Sequence, residues 1–336
     1  MQIYGIDLAK SKFDVSYPRF DSQGESLTPG HKVVRNTPSS IEKFLKKLPE
    51  DTALVAEHTG VYGELLHKLC DENNVRIAFV GGYVIHTYSS APDRRKTDEL
   101  DCSVLREFGE RFPDKLRFSN LPPVEQRELR KLASHRERLV EARKEFYTAK
   151  TSEDESPTTC TLVNESFQHI LDALNKDIDE VESRMLEIIR EHEDLKHNYE
   201  IITSVKGIGM VTAIDIIINT RNFTRITTAR EYASFAGTAP FEKSSGSSVN
   251  KGAHVSYIGC RRAKSLLYMC AETARRFNHD VGLYYARRTQ MEHKHHFYVL
   301  NAIANKLLRV IFALVRKGTK FDPNYKSVDP RTINKN

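Results

Sequence analysis

Tryptophan is missing from this 336-residue chain, and cysteine and methionine are scarce at five each. The five cysteines (Cys70, Cys102, Cys160, Cys260 and Cys270) are scattered and never spaced as C-x-x-C. That argues against a zinc cluster or a disulfide framework, and for a reducing cytoplasm. Long apolar runs are absent as well. No 18 consecutive apolar residues occur, so no membrane-spanning segment is expected. The opening MQIYGIDLAK lacks the charged-then-apolar order of a secretory signal. Aromatic residues make up only 9% of the chain, which gives no hint of a base-stacking platform.

What is present describes a globular protein, 39% hydrophobic and 29% charged, long enough for two or three domains. The net charge of +6 is unevenly spread. Residues 243–320 hold 15 Lys/Arg against 3 Asp/Glu, a surplus of +12, which leaves −6 for the remainder. Such asymmetry points the C-terminal third toward a polyanion. A solvated basic helix face is the plainer alternative.

The first hundred residues alternate strand and helix signals. Residues 2–8 and 12–17 read as strands, the second with Phe13, Val15 and Tyr17 on one face, and Val33-Val34 mark a third short one. Thr37-Pro38 opens a helix, threonine as N-cap and proline at its first position, followed by Ile41, Phe44, Leu45 and Leu48 at helical spacing. Residues 52–57 form a buried strand, 61–72 a helix and 75–80 a further strand. Three opening strands followed by strand-and-helix alternation is the order of a ribonuclease H-like α/β domain. Past Pro122 the composition changes. Residues 123–147 are highly charged, TSEDESPTT at 151–159 is a polar break, and Phe167, Leu171, Leu174, Ile178, Val181, Met185 and Ile188 form an a/d seam. A long helical hairpin or coiled coil follows, with self-association through the seam expected. Residues 201–219 place Lys206-Gly207-Ile208-Gly209 between two apolar helical stretches. This is helix-hairpin-helix-like, in which glycines let backbone approach phosphate; a plain tight turn uses the same glycines.

Several carboxylates stand where charge needs a reason. Asp7 lies inside an apolar strand and Glu57 at the end of another, where burial is costly without a partner or a cation. Thr97 caps a helix beginning Asp98-Glu99-Leu100-Asp101, so Asp98 and Asp101 share one face. Singly, each has a bland explanation: a helix dipole, a basic neighbour or a solvated strand end. Together, carboxylates from separate elements suit the two divalent ions of phosphodiester cleavage, and Mg²⁺ (or Mn²⁺) prefers such oxygens. Arg94, Arg95 and Lys96 precede the last pair, placed to contact a DNA backbone. The second constellation is Lys243-Ser244-Ser245-Gly246-Ser247-Ser248. Such a run is ordinarily a flexible linker. Here it lies between element-like stretches (232–240 and 255–258) and just ahead of Arg261, Arg262 and Lys264. A serine hydroxyl accepts phosphoryl groups only when deprotonated beside a charge-stabilising group.

The ordered motifs G-I-D (5–7), E-x-T-G (57–60), K-T-D-x-x-D (96–101), G-I-G (207–209), F-A-G (235–237), S-G-S-S (245–248) and L-Y-M (267–269) resemble the DEDD transposases of the insertion sequence 110 family. These are the bridge-RNA-guided recombinases, and pilin-gene invertases are relatives. The resemblance spans residues 1–325. It implies a RuvC-like catalytic domain (1–115), a helical linker and coiled coil (116–196), and a mainly α-helical transposase domain (197–325) with a polar tail (326–336). It also implies Mg²⁺ on Asp7, Glu57, Asp98 and Asp101, and Ser245 as nucleophile through a 5′-phosphoserine link. Donor and target DNA, a noncoding guide RNA, and a homodimer or homotetramer are the implied partners. Ser244 departs from the pattern by offering a neighbouring hydroxyl; Ser245 is preferred because it directly precedes Gly246.

Three other classes remain in view. A Holliday-junction resolvase would use the same carboxylates with water as nucleophile. A sugar kinase or actin-like protein also opens with G-I-D-L, but needs glycine-rich phosphate loops in both halves, and after Gly30 only Gly81-Gly82 and the serine run offer any. A non-enzymatic nucleic-acid scaffold would make the carboxylates incidental. His293, His295 and His296 suggest a metal, but adjacent histidines cannot share a helix face, so a basic helix is the expectation.

Overall fold

The computed structural model describes residues 1–57, 60–89, 97–118, 120–158, 160–245, 249–255 and 259–324. The chain divides into two compact units, Met1–Pro122 and Pro123–Asn336, where the sequence suggests boundaries at 115 and 196.

In the first unit, strands β1 (Gln2–Leu8), β2 (Lys12–Phe20) and β3 (Ser26–Arg35) form an antiparallel meander. Helix α1 (Pro38–Leu45) crosses to β4 (Thr52–Glu57), and α2 (Glu64–Glu72) to β5 (Arg76–Val80); β4 lies parallel to both β1 and β5. Helices α3 (Gly82–Ser89) and α4 (Asp98–Arg111) follow. The resulting order, β3-β2-β1-β4-β5, is the mixed five-stranded sheet that the strand-and-helix alternation leads one to expect for a ribonuclease H-like domain. Strand alternation sorts the apolar residues onto two faces. Tyr4, Ile6, Leu54 and Phe13 meet Ile41, Phe44 and Leu66 of α1 and α2, while Ile3, Ala53 and Val55 meet Leu105 and Phe108 of α4.

Two elements differ from their sequence signals. The third strand has ten residues, not two, because an edge strand takes its register from its neighbour and leaves much of its own surface exposed. The helix expected from residue 61 begins as a 3₁₀ turn, Gly60–Gly63, before α2.

The second unit opens with two 31-residue helices, α5 (Val124–Asp154) and α6 (Thr161–Glu191), packed against each other. The a/d seam of α6 finds its partner in the same chain. Leu171, Ile178 and Met185 are buried although only one copy is present, and Phe146 meets Phe167 edge-on at 6.4 Å. Ion pairs Arg136–Glu182 (2.6 Å) and Arg184–Glu128 (3.0 Å) fix the antiparallel register. The seam therefore makes a helical hairpin. A heptad pattern specifies an apolar partner stripe, and a long antiparallel neighbour supplies one as well as a second subunit does. The polar break is also shorter than its composition suggests, since α5 continues to Asp154.

Helices α7 (Glu193–Thr203), α8 (Met210–Thr220) and α9 (Ala229–Ala236) come next. A hairpin of β6 (Pro240–Ser245) and β7 (Val249–Val255) follows, then α10 (Arg261–Phe277), α11 (His279–Ala286) and α12 (His296–Lys317). The mainly helical expectation for this region thus gains a two-stranded sheet. Among the described residues α12 is the one helix long and apolar enough to cross a bilayer. Its Val299, Leu300, Ile303, Leu308 and Ile311 are instead packed in the core that also holds α7, α8, α9 and α10.

One polar network crosses that core. Asp215 sits in the apolar helix α8, where burial pushes its carboxyl up despite its partners. It accepts from Arg262 Nε at 3.0 Å, Asn219 at 2.8 Å and Tyr232 at 3.4 Å, and Arg262 also pairs with Glu137 of α5. Three helices are joined by one guanidinium. Arg262→Ala, which strands a buried carboxylate, should cost about 2–4 kcal/mol. The double variant Arg262→Met/Asp215→Leu should recover most of that loss, and thermal and urea denaturation of both proteins checks it.

Candidate functional site

The first unit's site follows from how closely α4 approaches the sheet. Ile3, Gly5 and Asp7 alternate onto the face of β1 that α4 covers. A Cβ on Gly5 would lie 2.0 Å from the Cys102 carbonyl oxygen and 2.4 Å from the Arg106 nitrogen, so glycine alone fits there. Further along, a Cβ on Gly109 would press within 2.8 Å of Ile3 and 2.9 Å of Val55. With Gly109 over Ile3 and Cys102–Arg106 over Gly5, the start of α4 falls over Asp7. That start carries Asp98 and Asp101, with Thr97 accepting from the Leu100 amide at 3.3 Å to cap it.

Glu57 joins from β4. Gly5 pairs with Val55 and Ile6 with Ala56, so the next step sets Glu57 beside Asp7 on the same face. Its carboxylate occupies the space where a Cβ of Gly82 would be, 2.4 Å from Oε1. Half-burial and the charges of Asp101, Asp98, Asp14 and Glu57 together push the Asp7 carboxyl up to about 6 from 3.8. The four sequence-predicted carboxylates are therefore gathered within electrostatic range of one another. Arg94, Arg95 and Lys96 lie outside the described residues.

Two further side chains belong to the cluster and gave no obvious sequence signal. Asp14 is buried, faces Asp7 across the β1–β2 ladder, and is held by His31 at 2.9 Å. Lys12 reaches both Asp14 and Asp98, each at 3.1 Å. The alternation of β2, with Asp14 in phase with Ser16 opposite Phe13 and Val15, was the signal that could have found Asp14. The buried Cys102 is no nucleophile, because burial and the neighbouring acids push its thiol up to about 12.

Among the described residues, no three His, Cys, Asp or Glu side chains stand close enough together to hold a metal ion as they are. The donor chemistry nonetheless fits one. An all-oxygen carboxylate set suits Mg²⁺ or Mn²⁺. The mutual repulsion registered at Asp7 is the kind that a divalent cation relieves. Asp7, Glu57, Asp98 and Asp101 are the side chains that would bind it.

In the second unit the start of the serine run, residues 243–245, belongs to strand β6 of a hairpin. Ser244 pairs with Asn250 and Ser245 with Val249, so Ser245 ends β6 at the open tip; Gly246, Ser247 and Ser248 lie outside the described residues. The root of the hairpin is fixed. Gly237 ends α9 in the left-handed region (φ 70°), and a Cβ on Gly259 would meet its nitrogen at 2.7 Å. The Cys260 amide donates to the Phe235 carbonyl at 2.8 Å. The side-chain amides of Asn301 and Asn305 both donate to the Thr238 carbonyl, at 3.0 and 2.9 Å.

The basic candidates separate. Lys206 and Gly209 are exposed, and Gly209 leads into α8 without a side-chain cap. Gly207 is needed for its φ of 101° and its contact with Ala274 of α10, which is a packing role. Arg261 is exposed, and Lys264 lies 5.9 Å from the Tyr268 ring. Arg262, expected to bind nucleic acid, is instead committed to Asp215 and Glu137, because a buried carboxylate in α8 needs a cation. The histidine run does not form the expected basic helix face. His295 caps α12, and His296 pairs with the Tyr285 hydroxyl at 2.8 Å. Around it the sparse aromatics gather after all. Phe297 and Tyr298 are each 57% exposed; Phe297 stacks with Tyr268 at 6.4 Å, and Arg288 stands 6.0 Å from the Tyr298 ring.

Comparison with known proteins bears on both units. Residues 4–149 match a model described as a transposase, of the DEDD type associated with insertion sequence IS110. Residues 199–286 match one described as a transposase of the IS116/IS110/IS902 family. The chain is 23% identical over 320 residues to a pilin gene-inverting protein of Moraxella bovis, covering 95% of this chain and 97% of that one. An uncharacterized 43.6 kDa protein of insertion element IS110 from Streptomyces coelicolor is 32% identical over 122 residues, 36% of this chain and 30% of its own. RuvC of Thermus thermophilus aligns at 12% identity with a TM-score of 0.27, over 36% of this chain and all of its own. That score carries no argument, and the sheet order stands by itself.

The crowding at Asp7 has a thermodynamic signature. A carboxyl raised from 3.8 to about 6 makes metal-free stability fall as pH rises through that interval. Asp7→Asn should therefore stabilise the metal-free protein near neutral pH, by on the order of 1 kcal/mol after screening. The gain should vanish below pH 3.8. Adding Mg²⁺ should raise the melting temperature of the unsubstituted protein and leave Asp7→Asn nearly unmoved, which calorimetry with and without chelator measures.

Proposed function

The chain belongs to the IS110 family of transposases, and from that premise we propose that it cleaves and rejoins DNA strands as a site-specific recombinase. The observation that carries this reading is the gathering of Asp7, Glu57, Asp98 and Asp101 at one end of a RuvC-like sheet face. Bound by these carboxylates, Mg²⁺ or Mn²⁺ would supply positive charge to the scissile phosphate and favour the ionised form of the attacking hydroxyl.

Ser245 is the nucleophile in this reading. Its Oγ bonds to phosphorus as the P–O3′ bond breaks, the serine gives up its proton, and the departing 3′-oxygen gains one. The 5′-phosphate is then held as a serine ester, which conserves the bond energy that hydrolysis would discard. A 3′-hydroxyl of the exchanged strand attacks the ester, and serine recovers its proton. Carboxylates and serine act on one phosphodiester, supplied by one copy of the chain or by two copies in a dimer or tetramer. A rigid hairpin root supports the assignment, since a nucleophile must be placed as well as activated.

Lys206, Gly209, Arg261 and Lys264 belong to the nucleic-acid contacts in this reading, with Arg94, Arg95 and Lys96 on the catalytic side. The exposed Phe297 and Tyr298, flanked by Arg288 and Lys264, add rings on which unpaired bases stack. An element-encoded guide RNA that selects the DNA, and a cytoplasmic place of action, come from the family resemblance.

Two measurements test the reading. Denaturing electrophoresis with labelled DNA should show a covalent adduct for the unsubstituted protein and none for Ser245→Ala, while Ser244→Ala keeps at least part of it. An adduct lost in Ser244→Ala and kept in Ser245→Ala moves the nucleophile one residue upstream. Cleavage without any adduct favours a water-using nuclease. Phe297→Ala should weaken binding of single-stranded oligonucleotides about tenfold, within the range of one lost base–ring stack. Unchanged affinity excludes Phe297 as a stacking surface.

A further inference from the structure

We propose that Lys12 is a built-in counter-ion of the carboxylate cluster, bound to Asp98 when no metal is present and displaced from it when a divalent cation enters. The inference rests on the metal-binding reading above and adds a positioning residue to it.

Lys12 is the first residue of β2, just past the turn in which the Ala9 amide donates to the Lys12 carbonyl at 3.0 Å. From there its ammonium spans two elements, 3.1 Å from Asp14 of the sheet and 3.1 Å from Asp98 of α4. Asp14 is 6% exposed and has a second partner in His31, so it keeps a hydrogen bond if Lys12 moves. Asp98 is 59% exposed and lies at a helix start, so it is free to change partners. Among the described residues, no other ammonium or guanidinium sits against this cluster of five carboxylates. Asp7 registers the resulting excess of negative charge.

One cation therefore stands at the edge of the cluster, and it ties up a proposed metal ligand. The two occupants exclude each other on Asp98. A divalent ion brings twice the charge and can engage Asp7, Glu57 and Asp101 as well. The long lysine side chain can then swing into solvent while Asp14 keeps its histidine. The exchange sets a threshold: Asp98 stays paired with Lys12 at low metal and changes partner only when the cation is abundant enough to win it.

Calorimetric titration of the full chain with Mn²⁺, without DNA, tests this through binding and not through activity. Lys12→Met should bind Mn²⁺ about tenfold tighter, the change expected when a unit charge a few ångströms from a divalent ion is removed at an exposed site. Lys12→Arg should restore an affinity near that of the unsubstituted protein. In an Asp98→Asn background the Lys12→Met gain should largely disappear. Lys12→Met that folds and binds Mn²⁺ no tighter than the parent, or more weakly, overturns the proposal. If Lys12→Met fails to fold, the ¹³Cε resonance of Lys12 in the unsubstituted protein decides. It must shift as Mn²⁺, or diamagnetic Mg²⁺, is titrated, and a stationary resonance during saturable binding overturns the proposal. A parent protein that binds no divalent ion sinks the metal reading itself, together with this one.

Discussion

The close packing of α4 on β1 is the contact on which the first unit's arrangement depends. Two glycines make it possible, Gly5 in the strand and Gly109 in the helix, each where a methyl group would collide with backbone or with a branched side chain. A sheet and a helix ordinarily keep a full side-chain layer between them. Removing that layer at two points lowers the helix onto the strand and aligns the two elements residue by residue. The carboxylates at the far end inherit this alignment. Interior packing density, and no attraction among the acids, sets their spacing. The acids repel one another, so their proximity has to be enforced by the fold.

The second unit solves a related problem by different means. Its core is almost wholly aliphatic, yet it admits Asp215, and the cost is met by Arg262, Asn219 and Tyr232. Apolar packing alone orients helices loosely, because many rotations bury similar area. A guanidinium shared between a carboxylate of α8 and one of α5 is directional and selects a single arrangement. The long hairpin of α5 and α6 is thereby tied at its base to the helices that carry β6 and β7.

Much of this was readable in the sequence, and the reasons for what was not are physical. Strands β1, β2, β4 and β5 announced themselves because a buried strand must alternate or be wholly apolar. Asp7 and Glu57 stood out as charges inside such patterns. Asp14 obeyed the same logic but looked like an ordinary polar position of an amphipathic strand. Its burial depends on the covering helix, which lies far along the chain. β3 was undersized for the converse reason, since an edge strand is defined by pairing and not by its own side chains. The serine run reads as a linker on composition alone, because its strand pairing and the distant Asn301 and Asn305 that hold Thr238 are not local signals. Local charge density assigns Arg262 to nucleic-acid binding, whereas in the fold it pairs with Asp215 and Glu137. Only the tertiary partner Asp215 reveals its role, and that partner lies 47 positions upstream.

The clamped root of the β6–β7 hairpin turns it into a ruler. With Gly237, Thr238 and Gly259 immobilised, the position of Ser245 is counted outward in strand residues, each about 3.4 Å long, across the register shift between Glu242 and Ser244. Adding one residue to β6 would change how far that position lies from the root. Adding one to each strand would carry the tip outward as well, with the pairing kept in register. Variation in this segment is thus quantised: related chains can differ freely in the composition of the strands, but a change in their length moves the tip by a discrete step.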